Sequence, residues 1–413
     1  MPKTIHRALP DRTVFHRGAP VFAGLAAAAA VLLAACGGGG SGEPAEVAGQ
    51  KAEAAQAGLQ IAFAVPLDQA VFDLGASVPV SLALQSGTGA LPDGLAVDFS
   101  AASGSFIPLA ASLLGGEAVT AFTPTAAGRQ TLTASVASGT LGGGNAATAS
   151  RTLYVRPAPA PMEILVPAYF YPSAGSPWDA LAAGTQAYPS VSVTAILNPN
   201  NGVFTRANPE FTAAARSFVH SGGKLLGYVY TGYGSRSISK VKGNIDKYLS
   251  LYGTGLVSGF FIDEMSSAPG RLAYYRQLFD YIKSKGATLR VVGNPGTVPD
   301  AAYAAVADTL VTFENRQASF ADYDPRATGG WLYQLANSRQ NALVHDAANC
   351  AAMQASVRAA ATARMNSGVI YVTDDTFDPD TQEDNPWDTL PAYWTQLLGT
   401  VDAVNRGATL PTC

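Results

Sequence analysis

The sequence predicts an α/β chain: a (β/α)8 barrel of the TIM type preceded by a small all-β, immunoglobulin-like sandwich. Three observations carry that prediction. From residue 162 to Cys413, eight apolar runs of strand length recur at a near-regular interval, as strands buried on both faces do. Helical patterns lie between several of them, and three of these stop at glycine. From 59 to 157 the texture is different: short alternating β runs are divided by turn residues at the spacing of a sandwich. A doubly wound open sheet is the alternative for the C-terminal part.

Residues 1–35 read as a lipoprotein signal peptide. Lys3, Arg7, Arg12 and Arg17 form a basic leader, and Val21 to Leu33 is an apolar segment too short to span a bilayer comfortably. It ends in Leu33-Ala-Ala-Cys36, followed by four glycines. That run resembles a bacterial lipobox, whose cysteine becomes the lipidated first residue; an ordinary signal peptide is the alternative. Gly37 replaces the Asp that retains lipoproteins in the inner membrane. The expectation is therefore a cell-envelope protein anchored through Cys36 to the outer membrane, on its periplasmic or surface face. Residues 36–58 read as a flexible tether. Losing four basic residues and Asp11 with the leader takes the formal charge of −4 further negative. Such a balance gives no reason to expect nucleic acid and mildly favours a cationic ligand. A monomer is expected.

The β module should use the runs Gln60–Val65, Ser77–Leu84, Leu95–Phe99, Ala118–Phe122, Gln130–Val136 and Ser150–Val155, and it reads as a spacer. Arg156-Pro-Ala-Pro-Ala-Pro161 should be a stiff linker between two cores. The barrel strands are expected at Ile164–Phe170, Val191–Leu197, Lys224–Tyr230, Leu256–Ile262, Thr288–Val292, Thr309–Phe313, Ala342–His345 and Val369–Val372. Helices are expected at Glu210–His220, Ile238–Tyr252, Arg271–Lys285 and Ala351–Met365. Cys350 and Cys413, in an oxidising compartment, are candidates for a disulfide pinning the C-terminus.

Barrels of this kind keep their chemistry at the C-terminal ends of the strands. In order, those ends carry Tyr169 and Tyr171, Asn198, Tyr230 and Tyr233, Asp263 and Glu264, Asn294, Glu314, His345, and Asp374 with Asp375. Tyrosines there suit the apolar faces of sugar rings, and the amides and acids suit hydroxyls; for any one Tyr, a core role with its hydroxyl satisfied is the alternative. Period-2 alternation puts Leu310, Thr312 and Glu314 on one face, with Glu314 inward. Asp263 and Glu264 must diverge unless the strand end bends. Two inward carboxylates on alternate strands can flank a glycosidic bond, one protonated and one ionised. Asp263 is the expected nucleophile or charge stabiliser, because Gly259 and Phe261 leave room beside the axis. Glu314 is the expected proton donor, and Glu264 a supporting residue. The leaderless chain keeps only His220 and His345, which argues against a His-rich zinc site; no P-loop or Gly-x-Ser-x-Gly elbow occurs. No cofactor or metal is expected. Calcium or magnesium held by Asp263, Glu264, Asp374 and Asp375 is the alternative.

Several of these stretches together resemble the spherulin-4 family of glycoside hydrolases. They are Leu226-Gly-Tyr-Val-Tyr-Thr-Gly-Tyr-Gly234 with Arg236, Gly259-Phe-Phe-Ile-Asp-Glu264, Asn294-Pro-Gly296, Phe313-Glu314, and Val372-Thr-Asp-Asp375 with Asn385-Pro-Trp-Asp-Thr-Leu-Pro391. The resemblance implies a secreted (β/α)8 enzyme cleaving α-1,4-linked galactosamine polymers, with functional carboxylates at Asp263, Glu264 and Glu314. Glu383-Asp384 and their neighbours depart from the family's pattern, at the rim of the expected cleft. In a bacterium the implied substrate would be a galactosamine-containing exopolysaccharide of the cell's own biofilm. The rival expectation is a non-catalytic, polysaccharide-binding lipoprotein using the same cleft.

Overall fold

The computed structural model describes residues 59–86, 91–137, 147–378, 381 and 384–413. The leader, the tether and Cys36 lie outside the described residues.

Among the described residues, nine strands build the N-terminal module: β1 (Gln60–Val65), β2 (Ala70–Asp73), β3 (Val78–Gln85), β4 (Ala96–Ala101), β5 (Ser105–Ile107), β6 (Ala110–Ser112), β7 (Glu117–Thr123), β8 (Gly128–Val136) and β9 (Ala147–Arg156). One sheet runs β1-β3-β7-β5 and the other β2-β9-β8-β4-β6. Alternation does the work: every second residue of β3 and β8 is buried, and these side chains from both sheets form one apolar core. Strands β2, β5 and β6, three or four residues long, were too short to show as periodic runs.

The second part is a closed parallel barrel of eight strands: β10 (Glu163–Val166), β11 (Ser192–Leu197), β12 (Lys224–Tyr230), β13 (Val257–Asp263), β14 (Arg290–Gly293), β15 (Thr309–Arg316), β16 (Gln340–His345) and β17 (Val369–Val372). β10 pairs with β17 to close it. Helices α1 (Pro177–Ala187), α2 (Pro209–His220), α3 (Ile238–Leu251), α4 (Leu272–Lys285), α5 (Gln317–Asp322), α6 (Pro325–Thr328), α7 (Cys350–Ala361) and α8 (Trp394–Arg406) accompany it. β14 and β15 are joined by a 3-10 turn, Ala301–Ala305, instead of an α-helix, which explains the short interval there. Gly222 and Gly253 follow their helices at φ 94° and 77°. Gly286 does not: at φ −178° it is extended backbone, so the third glycine stop is not a left-handed cap. Cys350 and Cys413 are disulfide-bonded, with Cα atoms 5.6 Å apart.

Register decides which side chains reach the barrel axis. Arg290 on β14 reaches Glu163 on β10 at 2.7 Å, so both point inward near the N-terminal mouth. Pairing carries that orientation round the sheet through Glu163–Ser192, Thr194–Lys224, Leu226–Gly259 and Gly259–Arg290. Counting up in twos brings Tyr228, Tyr230, Asp263 and Asn294 to the inner face at the C-terminal mouth.

The segment expected to be a stiff linker between two separate cores is bonded to the barrel at both ends. Arg156 is buried, pairs with Asp73 at 2.6 Å and donates to the carbonyl of Thr362. The backbone N–H and C=O of Ala160 both bond the side chain of Asn337. Tyr154 packs against Tyr333, the rings tilted with centroids 4.8 Å apart, and Arg326 donates to the carbonyl of Gln69. Tyr154→Ala should therefore destabilise the chain by about 3 kcal/mol, as loss of a buried aromatic does. Chemical denaturation checks this; a change below about 1 kcal/mol would show the contact to be incidental.

Candidate active site

Asp263 ends β13 on the axis side. The hydroxyl of Tyr228 donates to its Oδ2 at 2.7 Å, and Nδ2 of Asn294 donates to its Oδ1 at 2.8 Å. The same Nδ2 donates to Oε2 of Glu314 at 2.9 Å. One amide nitrogen thus bridges the two carboxylates. With its two N–H bonds about 120° apart, the acceptor oxygens stand roughly 5 Å from each other. The amide cannot flip without loss, because Gly296 N–H donates to Asn294 Oδ1 at 2.9 Å. Its backbone is held as well, donating to Ile262 C=O and accepting from Met265 N–H.

Glu314 reaches the axis by a route that differs from simple alternation. The pairing of β15 with β16 slips between Val311 and Phe313. Val311 and Glu314 are thereby aligned with Asn341 and Leu343, two residues apart on β16. The inward set is Thr309, Val311 and Glu314, and Leu310 faces the other way. A bulge at Thr312 supplies the missing step.

Glu264 has φ +50°, the left-handed region that non-glycine residues seldom occupy. This is the bend that lets neighbouring carboxylates serve different walls. Glu264 Oε2 accepts from Gly232 N–H at 3.0 Å, and its carbonyl accepts from Tyr233 N–H and the Thr231 hydroxyl, both at 2.7 Å. The acid braces the loop after β12. Gly259 does not leave room beside the axis: a Cβ there would lie 2.1 Å from the backbone O of Arg290, so the glycine permits close approach of β14.

The other expected residues divide. Tyr169 lies edge-on to Tyr228, ring centroids 5.5 Å apart, and burial together with Asp263 and Glu314 raises its pKa. Burial and Asp263 likewise keep Tyr228 protonated, as a donor to Asp263 must be. Tyr171 and Tyr233, 51% and 38% exposed, stand at the rim, where Tyr171 bonds Glu210 and Asn208 at the start of α2. One face of Tyr230 is covered by the Arg236 guanidinium at 3.9 Å. Asn198 continues the inward set of β11, and its Oδ1 is buried without a hydrogen bond among the described residues. His345 is 6% exposed, edge-on to Phe377 and Trp387; burial lowers its pKa, so it is a neutral, covered side chain. Asp374 turns to the 391–393 segment and accepts from Ala392 N–H. Among the described residues, no group of three or more His, Cys, Asp or Glu is arranged to hold a metal ion. Tyr228 is a candidate site residue that sequence reasoning did not single out; it shares a strand face with Tyr230, so alternation contained the signal.

Asp375 sits near Asp388, Asp384 and Asp374, and burial followed by these charges raises its pKa to about 6. Its folded value exceeds the usual carboxylate value, so the folded state holds the proton more tightly. Stability from this group is present below about pH 4 and is lost as pH rises through about 6. Wild-type protein should therefore gain thermal stability between pH 7 and pH 5 relative to Asp375→Asn. Parallel melting curves across that range would refute the assignment.

A model of the family described as Spherulation-specific family 4 matches residues 163–401. The chain belongs to that family. Spherulin-4 of Physarum polycephalum is 32% identical over 255 residues, spanning 59% of this chain and 71% of that protein. Among solved structures, Aspergillus clavatus Sph3 in complex with GalNAc is 26% identical, covering 59% of this chain and 98% of that one, with a TM-score of 0.49. A family 39 glycoside hydrolase from Bacteroides cellulosilyticus WH2 covers 83% of this chain and 82% of its own at 12% identity and a TM-score of 0.38. The spherulin-4 match spans every barrel strand and stops before the disulfide-bonded C-terminus. The β module lies outside it.

Proposed function

We propose that this spherulin-4 family member is a retaining, endo-acting glycoside hydrolase of α-1,4-linked galactosamine and N-acetylgalactosamine polymers. The observation that carries the reading is the Asn294 amide bridging Asp263 and Glu314. Carboxylate oxygens roughly 5 Å apart favour a double displacement; single displacement needs carboxyl groups about 6.5–9.5 Å apart to admit a water. Both oxygens of Asp263 are fixed in place by hydrogen-bond donors, the positioning an attacking carboxylate needs, so Asp263 is the nucleophile. Glu314 gives its proton to the glycosidic oxygen as that bond breaks and Asp263 forms an ester with the anomeric carbon. Glu314 then takes a proton from water, which attacks the same carbon and frees Asp263. Tyr228 and Asn294 keep Asp263 aimed throughout. The acetylated or free amine at C2 and the α-1,4 linkage come from the family resemblance.

The leader and Cys36 support a lipid anchor in the outer membrane, with a monomer as the working unit. Detection of an acylated Cys36 peptide by mass spectrometry tests the anchor. Purified polymer incubated with the full chain, with products followed by mass spectrometry and anomer-resolved NMR, tests the activity. Oligosaccharides released first as the α-anomer are expected. Release first as the β-anomer would remove the double displacement, and retention of uncut polymer would replace the hydrolase with a polysaccharide binder.

A further inference from the structure

The opposite end of the barrel holds a second feature. At the N-terminal mouth, beside β11 to β14, lies a cavity of about 600 Å³. Lys224, Lys285 and Arg290 line it with the hydroxyl residues Thr194, Thr254, Ser258 and Thr288, and none of the described lining residues is acidic. This is unexpected in a chain of formal charge −4. The cations differ in how far they are committed. All three guanidinium nitrogens of Arg290 already donate, to Glu163 and to the Thr309 hydroxyl. Lys285 pairs with Asp246 at 2.8 Å. Lys224 has no carboxylate partner among the described residues; its ammonium donates to Ser192 Oγ at 3.2 Å. Beside it in register stands Thr194, 1% exposed, whose hydroxyl makes no hydrogen bond among the described residues. Buried hydroxyls are nearly always satisfied, so this one has a hydrogen bond still to offer.

We propose that this cavity binds a phosphate ester, held by Lys224, Lys285 and the Thr194 hydroxyl. A lysine is a point charge that suits a tetrahedral phosphate, whereas a planar carboxylate is best held by a free arginine fork, and Arg290 offers none. The volume lies in the range of small-molecule pockets and exceeds what a bare phosphate ion fills. The bottom face of such a barrel is not where chemistry is done, so the ligand anchors or stabilises and does not react. The same chemistry has two sources, a soluble phosphomonoester or the headgroup of an anionic phospholipid.

The test uses the full chain carrying Cys36→Ala, so that no acyl anchor floats it, and its Lys224→Glu and Lys285→Gln variants at low salt. Glycerol 1-phosphate is titrated by thermal shift, and vesicles of phosphatidylcholine with and without phosphatidylglycerol are assayed by flotation. A melting shift with glycerol 1-phosphate, weakened at least about tenfold by Lys224→Glu, supports a soluble ester. Flotation only with phosphatidylglycerol, reduced by Lys224→Glu and by salt, supports a headgroup. Neither response, or responses unchanged in both variants, overturns the proposal.

Discussion

Asp263→Asn and Glu314→Gln are each expected to lower turnover of the polymer at least ~10²-fold, the usual worth of a positioned acid or base. Both replacements are nearly isosteric, so melting temperature and circular dichroism should stay close to wild type. The Tyr228 hydroxyl and the Asn294 amide remain in place around either substituted side chain. Glu264→Gln should lose less, because its carboxylate bonds Gly232 N–H and braces a loop. Asn294→Ala, a positioning change, should move the pH profile of kcat as well as its height, since the amide touches both acids. The assignment fails if Asp263→Asn is active while Glu264→Gln is dead. It also fails if Glu314→Gln keeps normal activity on a substrate with a poor leaving group.

The largest stability effect is expected at Gly259. A methyl there would stand 2.1 Å from the carbonyl oxygen of Arg290, 2.7 Å from its nitrogen and 2.8 Å from its carbonyl carbon. All three are backbone atoms of the adjacent strand, which cannot swing aside as a side chain can. Gly259→Ala should therefore cost about 3 kcal/mol or more, a fall in melting temperature of roughly 4 °C or more for a chain of this size. Activity per folded molecule should drop too, because β13 carries Asp263 four residues further on. A melting temperature within about 2 °C of wild type would show that the two strands separate easily.

Much of this was legible in the residues. The barrel strands announce themselves because both faces are buried, so each is an unbroken apolar run such as Gly259-Phe-Phe-Ile262. Helices α1 and α8 were not legible: Pro177–Ala187 and Trp394–Arg406 bury Thr185, Gly399 and Thr400 among their apolar residues, which blurs the 3.6-residue stripe. Glu314 was placed inward on a premise that fails, since Leu310 faces outward and a bulge restores the phase. Bulges arise from pairing with the next strand, which a single strand's sequence does not contain. The bend at Glu264 is of the same kind, stabilised by Gly232, Tyr233 and Thr231 some thirty residues earlier. His345 looked like a cleft residue because its strand ends there. Phe377 and Trp387, from a loop beyond the next strand, cover it.

The pinned junction between module and barrel bears on the order in which the chain assembles. Ala160 meets Asn337 across 177 positions, Arg156 meets Thr362 across 206, and Gln69 meets Arg326 across 257. The module's half of this surface leaves the ribosome long before the half it needs. Contacts of such separation form slowly, after local ones have repaid their loop closure. The two cores should therefore become compact first and join last. Until the stretch from 326 to 362 is made and folded, Tyr154 and Arg156 remain uncovered, and in that interval the nascent chain is open to a chaperone or to aggregation.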